Sequence, residues 1–372
     1  MDPEPDLAPG RSRGQFRPHA AALGAAVLFG ASTPLAKLLL GEIHPVALAG
    51  VLYAGVFFGL GAYRVAAKLS GGRVKPPADP PLERRDLPWL AGAILAGGIA
   101  APICLLLGLS HVTGLAGSLL LNFEAAATAL IAALMFKENA GGRVWAGLAL
   151  MTAGGILISW DPAGGRLDAA GPLLILAAMA GWGLDNNLTR HVSEKDPVQI
   201  AMLKGLFAGA ASLALAIALR IRIPLGLPAA GGLAVGALSY GLSLVLFIKG
   251  LKGLGAFRTG ALFSLAPFAG ALASIPVLGD RIRPATAAAG LLMAAAVGLV
   301  VREKHVHAHR HDRVTHAHAH VHSDGHHGHP HEPGVREPHA HEHVHEETEH
   351  VHGHWPDGLH RHGHRSTKGN SG

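Results

Sequence analysis

Three ionisable side chains stand inside long apolar stretches of this chain: Glu124, Asp185 and Lys204. A charge at the centre of a membrane-spanning helix costs about 2.5–3.5 kcal/mol on insertion scales, so each asks for a partner or a task. Glu124 lies near the middle of its stretch, where a carboxyl group can couple to a proton or bind a cation, or else stay protonated and hydrogen-bond between helices. Asp185 is about five residues from the end of its stretch and Lys204 about seven residues into the next, depths of roughly 7–8 and 10 Å at 1.5 Å per residue. Consecutive antiparallel spans bring those depths together, so an ion pair is expected, either lining a path or fixing a helix hairpin. Asn186 and Asn187 continue the polar patch, and Asn122 precedes Glu124 by two positions. These six residues form the candidate solute or coupling site. Trp182, Tyr240 and Ser243 are weaker cavity candidates. His44, His111 and Lys37 fall at span ends, where interfacial exposure or snorkelling explains them. Glu138 and Asp280 suit helix ends or gating contacts.

A second chemistry fills residues 302–372, which hold 22 of the 26 histidines and fifteen His-X-His pairs. In extended backbone, positions i and i+2 share a side, so each pair offers two imidazoles to one ion. His305, His307, His309, His311, His316, His318, His320, His322, His339, His341, His343 and His345 are the candidate ligands. Neutral imidazole suits zinc, nickel, cobalt and copper(II). The segment has no Cys or Met, which disfavours copper(I), and Glu342, Glu346, Glu347 and Glu349 could add oxygen ligands. No cofactor is required by anything upstream. Such a segment buries no core, and the expectation is a disordered tail.

What positions the first site is a set of apolar spans. Charged residues are 15% of the chain and apolar ones 49%, with 50 glycines and a mean hydropathy of +0.32; a soluble domain carries about 25% charged residues. Ten stretches reach the ~20 residues that cross a hydrocarbon core: 20–40, 45–67, 88–108, 114–136, 143–160, 171–190, 197–219, 228–250, 257–278 and 284–301. Small residues let such helices pack closely in lipid. No small-residue cleavage site follows a short apolar core near the start, so the first stretch is expected to remain as a span. Lys and Arg number eighteen in one set of alternate loops and six in the other, which puts both termini in the cytoplasm and the spans in the inner (plasma) membrane. The net charge of +6 therefore reads as topology. Without basic-aromatic interleaving, nucleic acid is not a partner; the lipid bilayer and a small-molecule or ion solute are, and a homodimer is compatible. The single Cys104 excludes an internal disulfide.

Residues 108–155 align with 250–297 at an offset of 142, pairing Gly108-Leu109 with Gly250-Leu251, Ala129 with Ala271 and Glu138 with Asp280. Phe29-Gly30 and Lys37 align with Trp182-Gly183 and Arg190 at an offset of 153. Five spans per half would oppose the two halves in the membrane, the inverted repeat of many secondary transporters. With Phe136-Lys137-Glu138 and Leu278-Gly279-Asp280 closing the fourth and ninth spans, and Ala153-Gly154-Gly155 and Ala296-Val297-Gly298 in the fifth and tenth, residues 20–301 resemble the EamA-type drug/metabolite transporters. Pro267 fits the family's frequent proline in the fourth helix of a half; the first half has Asn122-Phe123-Glu124 there.

The expected architecture is an all-α polytopic membrane protein of ten transmembrane helices in two inverted five-helix repeats: a cytoplasmic segment 1–19, repeats at 20–160 and 171–301, and the tail 302–372. The resemblance implies a secondary transporter, expected as an exporter of a small metabolite or amino-acid-like solute, and the His-X-His spacing adds a tail that buffers or senses divalent metal. Two alternatives stay open. A divalent metal could itself be exported, fed by the tail, although no histidine stands at mid-depth. The helices could also serve as the platform of a metal store or sensor. Enzyme chemistry finds no support: no Ser/His pair, no His-Glu-X-X-His and no nucleotide loop occurs.

Overall fold

The computed structural model describes residues 12–69, 82–135, 142–161, 166–167, 169–193, 195–223, 225–301, 305–311, 314–320, 339–345 and 348–354. Calls at Glu138, His322, Glu346 and Glu347 lie outside these residues. The chain divides into two units, Met1–Glu303 and Lys304–Gly372.

Among its described residues the first unit has helices and the two-residue strands β1 (Trp160–Asp161) and β2 (Arg166–Leu167), which pair antiparallel. Its helices are α1 (Ser12–Leu39), α2 (Pro45–Leu69), α3 (Arg84–His111), α4 (Gly114–Met135), α5 (Gly142–Ser159), α6 (Ala170–Thr189), α7 (Pro197–Ala218), α8 (Leu227–Leu251), α9 (Arg258–Leu278) and α10 (Pro284–Val301). Eight of them are long and apolar enough to cross a membrane. The other two are α10, apolar but shorter, and α6, whose polarity comes from Asp185, Asn186 and Asn187.

Three helices depart from the simple spans that periodicity suggests. In α4 the ladder breaks in a turn at Leu121–Asn122, between Gly114–Leu120 and Phe123–Met135. Both α3 and α8 contain a π-helical segment, Ile94–Ala100 and Gly236–Leu242. The starts of these segments are 142 positions apart, the repeat offset itself. Between α8 and α9 the backbone stays helical from Ser243 to Phe263, where a loop was expected; Leu251-Lys252-Gly253-Leu254 contains no proline to stop it.

The halves interleave. α1 packs on α9 and on the π segment of α8, while α6 packs on α4 and on the π segment of α3. Glycine permits both crossings: a Cβ at Gly183 would stand 2.8 Å from the Thr128 amide nitrogen, and one at Gly30 would stand 2.9 Å from that of Gly270. Such contacts let backbones approach where no hydrophobic force drives association. The largest core cluster, with Leu48, Leu106, Leu109, Leu120, Met151, Ile175, Met179 and Met293, draws on both halves.

In the second unit four segments are described, all extended. β3 (His305–His311) pairs antiparallel with β6 (Thr348–His354), and β4 (Val314–His320) with β5 (His339–His345). The cause is the period of the sequence: His-X-His with Val, Thr and Ala between alternates every two residues, the strand period. Registers set His307 opposite His352, His309 opposite His350, His316 opposite His343 and His318 opposite His341.

Candidate functional site

The break in α4 creates the surroundings of Glu124. The Asn122 side-chain amide donates to the Leu119 carbonyl at 2.8 Å, and the Glu124 amide donates to the Leu121 carbonyl at 3.0 Å. Glu124 therefore opens the helical segment that follows, in the first turn, where the backbone dipole favours negative charge. Its Oε1 accepts a hydrogen bond from Asn186 of α6 at 3.0 Å. The same Asn186 amide reaches the Thr128 hydroxyl at 3.2 Å, which in turn donates to the Glu124 carbonyl at 2.9 Å. Asn187 is committed elsewhere, to the carbonyls of Thr128 at 3.1 Å and Gly183 at 2.8 Å; it ties α6 to α4 and has no amide hydrogen left for a solute.

Asp185 and Lys204 meet, as the depth count requires. Lys204 Nζ donates to Asp185 Oδ1 at 2.5 Å and to the Thr189 hydroxyl at 3.0 Å, and that hydroxyl donates to Asp185 Oδ1 at 2.8 Å. Both side chains are largely shielded, at 18% and 13% exposure. Beside them runs the π segment of α3, whose Gly97 carbonyl accepts two side-chain hydrogen bonds, from Tyr53 Oη at 2.9 Å and from Trp182 Nε1 at 2.9 Å. A Cβ at Gly97 would collide with the Asp185 carboxylate, so glycine is what lets the acid approach. Tyr53 lies within electrostatic reach of both Asp185 and Glu124. Glu124, Lys204, Tyr53 and Tyr240 are half-buried among packed helices. At this depth, partial exposure of a carboxylate and an ammonium points to contact with water, since lipid contact would be costly.

The positions related by the repeat carry different chemistry. By the offsets of the repeat, Phe29 answers Trp182, Ser32 answers Asp185, Thr33 answers Asn186 and Ala266 answers Glu124. Phe29 packs edge-on against Tyr240 with ring centroids 5.7 Å apart, and Tyr240 lies 6.4 Å from Tyr53. Ser32 donates to the Phe29 carbonyl at 2.6 Å, and Phe263 joins Phe29 at 5.3 Å. The charged cluster thus has an aromatic, nearly neutral counterpart. Tyr53, Gly97, Thr128, Thr189 and Phe29 were not identified from sequence; the offset between Phe29 and Trp182 was the one available signal.

Two polar clusters tie the helix ends. At one end Lys37 donates to the Leu109 carbonyl at 2.7 Å, and Asp280 accepts from the Leu115 amide at 2.8 Å, capping α4. Lys37 therefore caps α3 instead of merely snorkelling, while Asp280 acts at a helix end as its position suggested. At the other end Arg64 pairs with Asp196, which also caps α7 through the Val198 amide at 2.9 Å. Lys195 lies there 3.1 Å from Glu83 and 3.4 Å from Asp86. Burial alone would lower its pKa, but the hydrogen bonds and charges of these carboxylates hold it above the ordinary lysine value. Trp89 and His191 stack at this end, 3.9 Å apart. Ser243 donates to the Ala25 carbonyl at 2.8 Å and is structural; His44 accepts from the Val46 amide at 3.3 Å at the start of α2; His111 is exposed. Among the described residues no three His, Cys, Asp or Glu side chains are gathered to hold a metal ion.

Comparison with known proteins places this arrangement. A model of the "EamA-like transporter family" matches twice, over residues 17–160 and 169–302. An uncharacterised transporter of Methanothermobacter thermautotrophicus is 27% identical over 281 residues, covering 72% of this chain and 81% of that one. An uncharacterised protein of Pseudomonas aeruginosa is 31% identical over 195 residues, 50% of this chain and 67% of the relative. A solved crystal structure shares the fold with a TM-score of 0.53 at 18% identity, covering 75% of this chain and 95% of that one. The two matched segments take in all the helices that carry these clusters, and the chain belongs to the EamA-like transporter family: it is a multi-pass membrane transporter and not an enzyme.

Proposed function

We propose that the chain is a proton-coupled secondary transporter that exports a small metabolite or amino-acid-like solute across the inner membrane. In this reading ten spans form two inverted five-helix repeats, and both termini face the cytoplasm. The solute binds in the cleft between the halves, around Glu124, Asn186 and the Asp185–Lys204 pair. Asn122 and Asn187 shape the site through the backbone. The carrying observation is Glu124 itself: a half-buried carboxylate with one side-chain donor, Asn186, and no cation partner among the described residues. A carboxylate so placed can hold a proton in one state and release it in another, which is what coupling requires. Rocking of the halves would then open and close the two end clusters alternately.

The tail, on this reading, binds zinc, nickel, cobalt or copper(II) in the cytoplasm and buffers or senses it. The paired His registers of β3 with β6 and of β4 with β5 favour this. They also keep alive a second reading, export of the divalent metal itself with the tail as feeder. Metabolite and metal contents of cells lacking the chain, of cells with it, and of cells carrying Glu124→Gln separate the two. A metabolite retained in the first and third but not the second supports the leading reading. Retention of metal alone supports the other.

A further inference from the structure

The histidines of the tail are phased. In β3 they occupy every second position from His305 to His311, and in β4 from His316 to His320, with a step of five between the two runs. On the return they run from His339 to His345 in β5 and from His350 to His354 in β6, again with a step of five. Each odd step moves the row onto the other set of alternate positions. The two shifts cancel when the strands pair antiparallel in one register, and that register is the one observed: Val314 and His345, which are partners, lie nine positions inward of the partners His305 and His354. A slip of one residue would leave no histidine opposite another in either sheet.

Three successive rungs of each sheet therefore carry histidine on both strands. In one sheet His305 stands opposite His354, His307 opposite His352 and His309 opposite His350; β4 and β5 repeat this from His316–His343 to His320–His339. Alternation places all seven histidines of a sheet on one face. Across a rung the Cα atoms of an antiparallel pair are about 4.5–5.5 Å apart, against about 6.6–6.8 Å for positions i and i+2 of one strand. The nearest second imidazole thus belongs to the opposite strand. Three or four imidazoles make a tetrahedral zinc site, so each face has ligands for about two ions. The register supplies the positions, and the ion gathers the imidazoles.

We propose that zinc, or another divalent ion with the same preference for imidazole, binds across the strands and staples β3 to β6 and β4 to β5. This rests on the reading of the tail as a metal buffer or sensor and says how it would sense. Separate His-X-His pairs could fill without changing the tail's shape. Two strands alone pair only marginally in water, and an ion shared between them favours the paired state over the open one. Order in the tail then follows the metal concentration around it.

The full chain in detergent micelles, with zinc chloride as the probe, tests this by amide hydrogen exchange. The reading is the zinc concentration that half-protects β3 and β6, followed segment by segment so that metal elsewhere in the tail does not enter. Two double variants each remove two histidines from this face. His307→Gln with His352→Gln deletes one rung and leaves two whole. His307→Gln with His350→Gln breaks two rungs and leaves one, yet keeps the in-strand pair His352 and His354 that the first variant loses. Zinc should protect β3 and β6 of the native chain together, and the second variant should need about tenfold more zinc than the first. Equal or lower zinc for the second variant would overturn the proposal, as would protection complete without zinc or zinc uptake that protects neither strand. Calorimetric zinc uptake lost in a chain ending at Arg302 would still uphold metal binding by the tail in those cases. Equal uptake with and without the tail would sink that reading, and the cross-strand staple with it.

Discussion

Replacing Asp185 by Asn, Lys204 by Met, and both together measures what the central ion pair does. At 2.5 Å, with the two side chains 13% and 18% exposed, the attraction is roughly 6–7 kcal/mol at an effective dielectric of 20. Much of that repays the desolvation of two charges, so the net benefit of the pair over two apolar groups is small. Removing one partner is different: it strands the other charge in a low-dielectric setting, which costs about 3–5 kcal/mol. Thr189 softens the loss on either side, because its hydroxyl bonds both partners and can keep one bond to whichever remains. Each single variant should therefore unfold on the order of 10 °C earlier in detergent, taking roughly 2–4 °C per kcal/mol as for domains of 150–250 residues. The double variant should cost clearly less than the two single losses added together, and that difference is the coupling between the two charges. Melting is read by loss of the monodisperse peak after heating, and flux is measured on the same samples. A double variant that folds and transports makes the pair a hairpin clamp; one that folds without transporting puts it on the solute path. Additive damage would refute the reasoning, because it would mean the two charges do not depend on each other.

Three further outcomes follow from the same geometry. Gly97→Ala should impair transport more than it lowers the melting temperature, because the added methyl meets the Asp185 carboxylate; Gly98→Ala, whose methyl would stand 2.9 Å from the Ala208 side chain instead, should spare transport, and equal effects would count against a special role for Gly97. Lys195 is held above the ordinary lysine value, so its contribution to stability is fully present below that unfolded value and is lost as pH rises through the higher folded one. Alkaline melting curves of the native chain should thus fall off at high pH, and Lys195→Met should flatten that fall; an unchanged slope would remove Lys195 from the cause. A chain ending at Arg302 should insert and fold yet lose high-capacity zinc or nickel binding in calorimetry, and an unchanged stoichiometry would move the metal sites out of the tail.

Much of the membrane part was legible because lipid imposes a simple rule: apolar length reports a span. The Asp185–Lys204 contact was legible for a related reason, since a fixed rise per residue turns sequence position into depth. What the rule does not register is departure from the regular ladder. Nothing in Ile94–Ala100 or Gly236–Leu242 announces a π segment, because every residue there is apolar or small apart from Ser239 and Tyr240. The Gly97 carbonyl, which gathers Tyr53 and Trp182, was therefore invisible until the backbone was seen. Asn187 was misjudged for another reason. Next to Asp185 and Asn186 it looked like part of one polar patch, but helical geometry turns it by about 100° per residue, and its amide meets main-chain carbonyls instead of the cleft. In the tail, low core-forming power suggested disorder, and the two-residue period that aligns histidines for metal also suits strand pairing.

The account stands or falls on Glu124 as the coupling group. Proteoliposomes holding the native chain or Glu124→Gln, with a pH-sensitive dye inside, can be given the metabolite that deletion cells retain, with and without an imposed pH gradient. The account predicts that native vesicles accumulate solute against its gradient only when a proton gradient is present, with dye reporting counter-movement of protons. Glu124→Gln vesicles, equal in protein content and melting temperature, should show neither. Gradient-driven accumulation and proton movement undiminished in Glu124→Gln would contradict it.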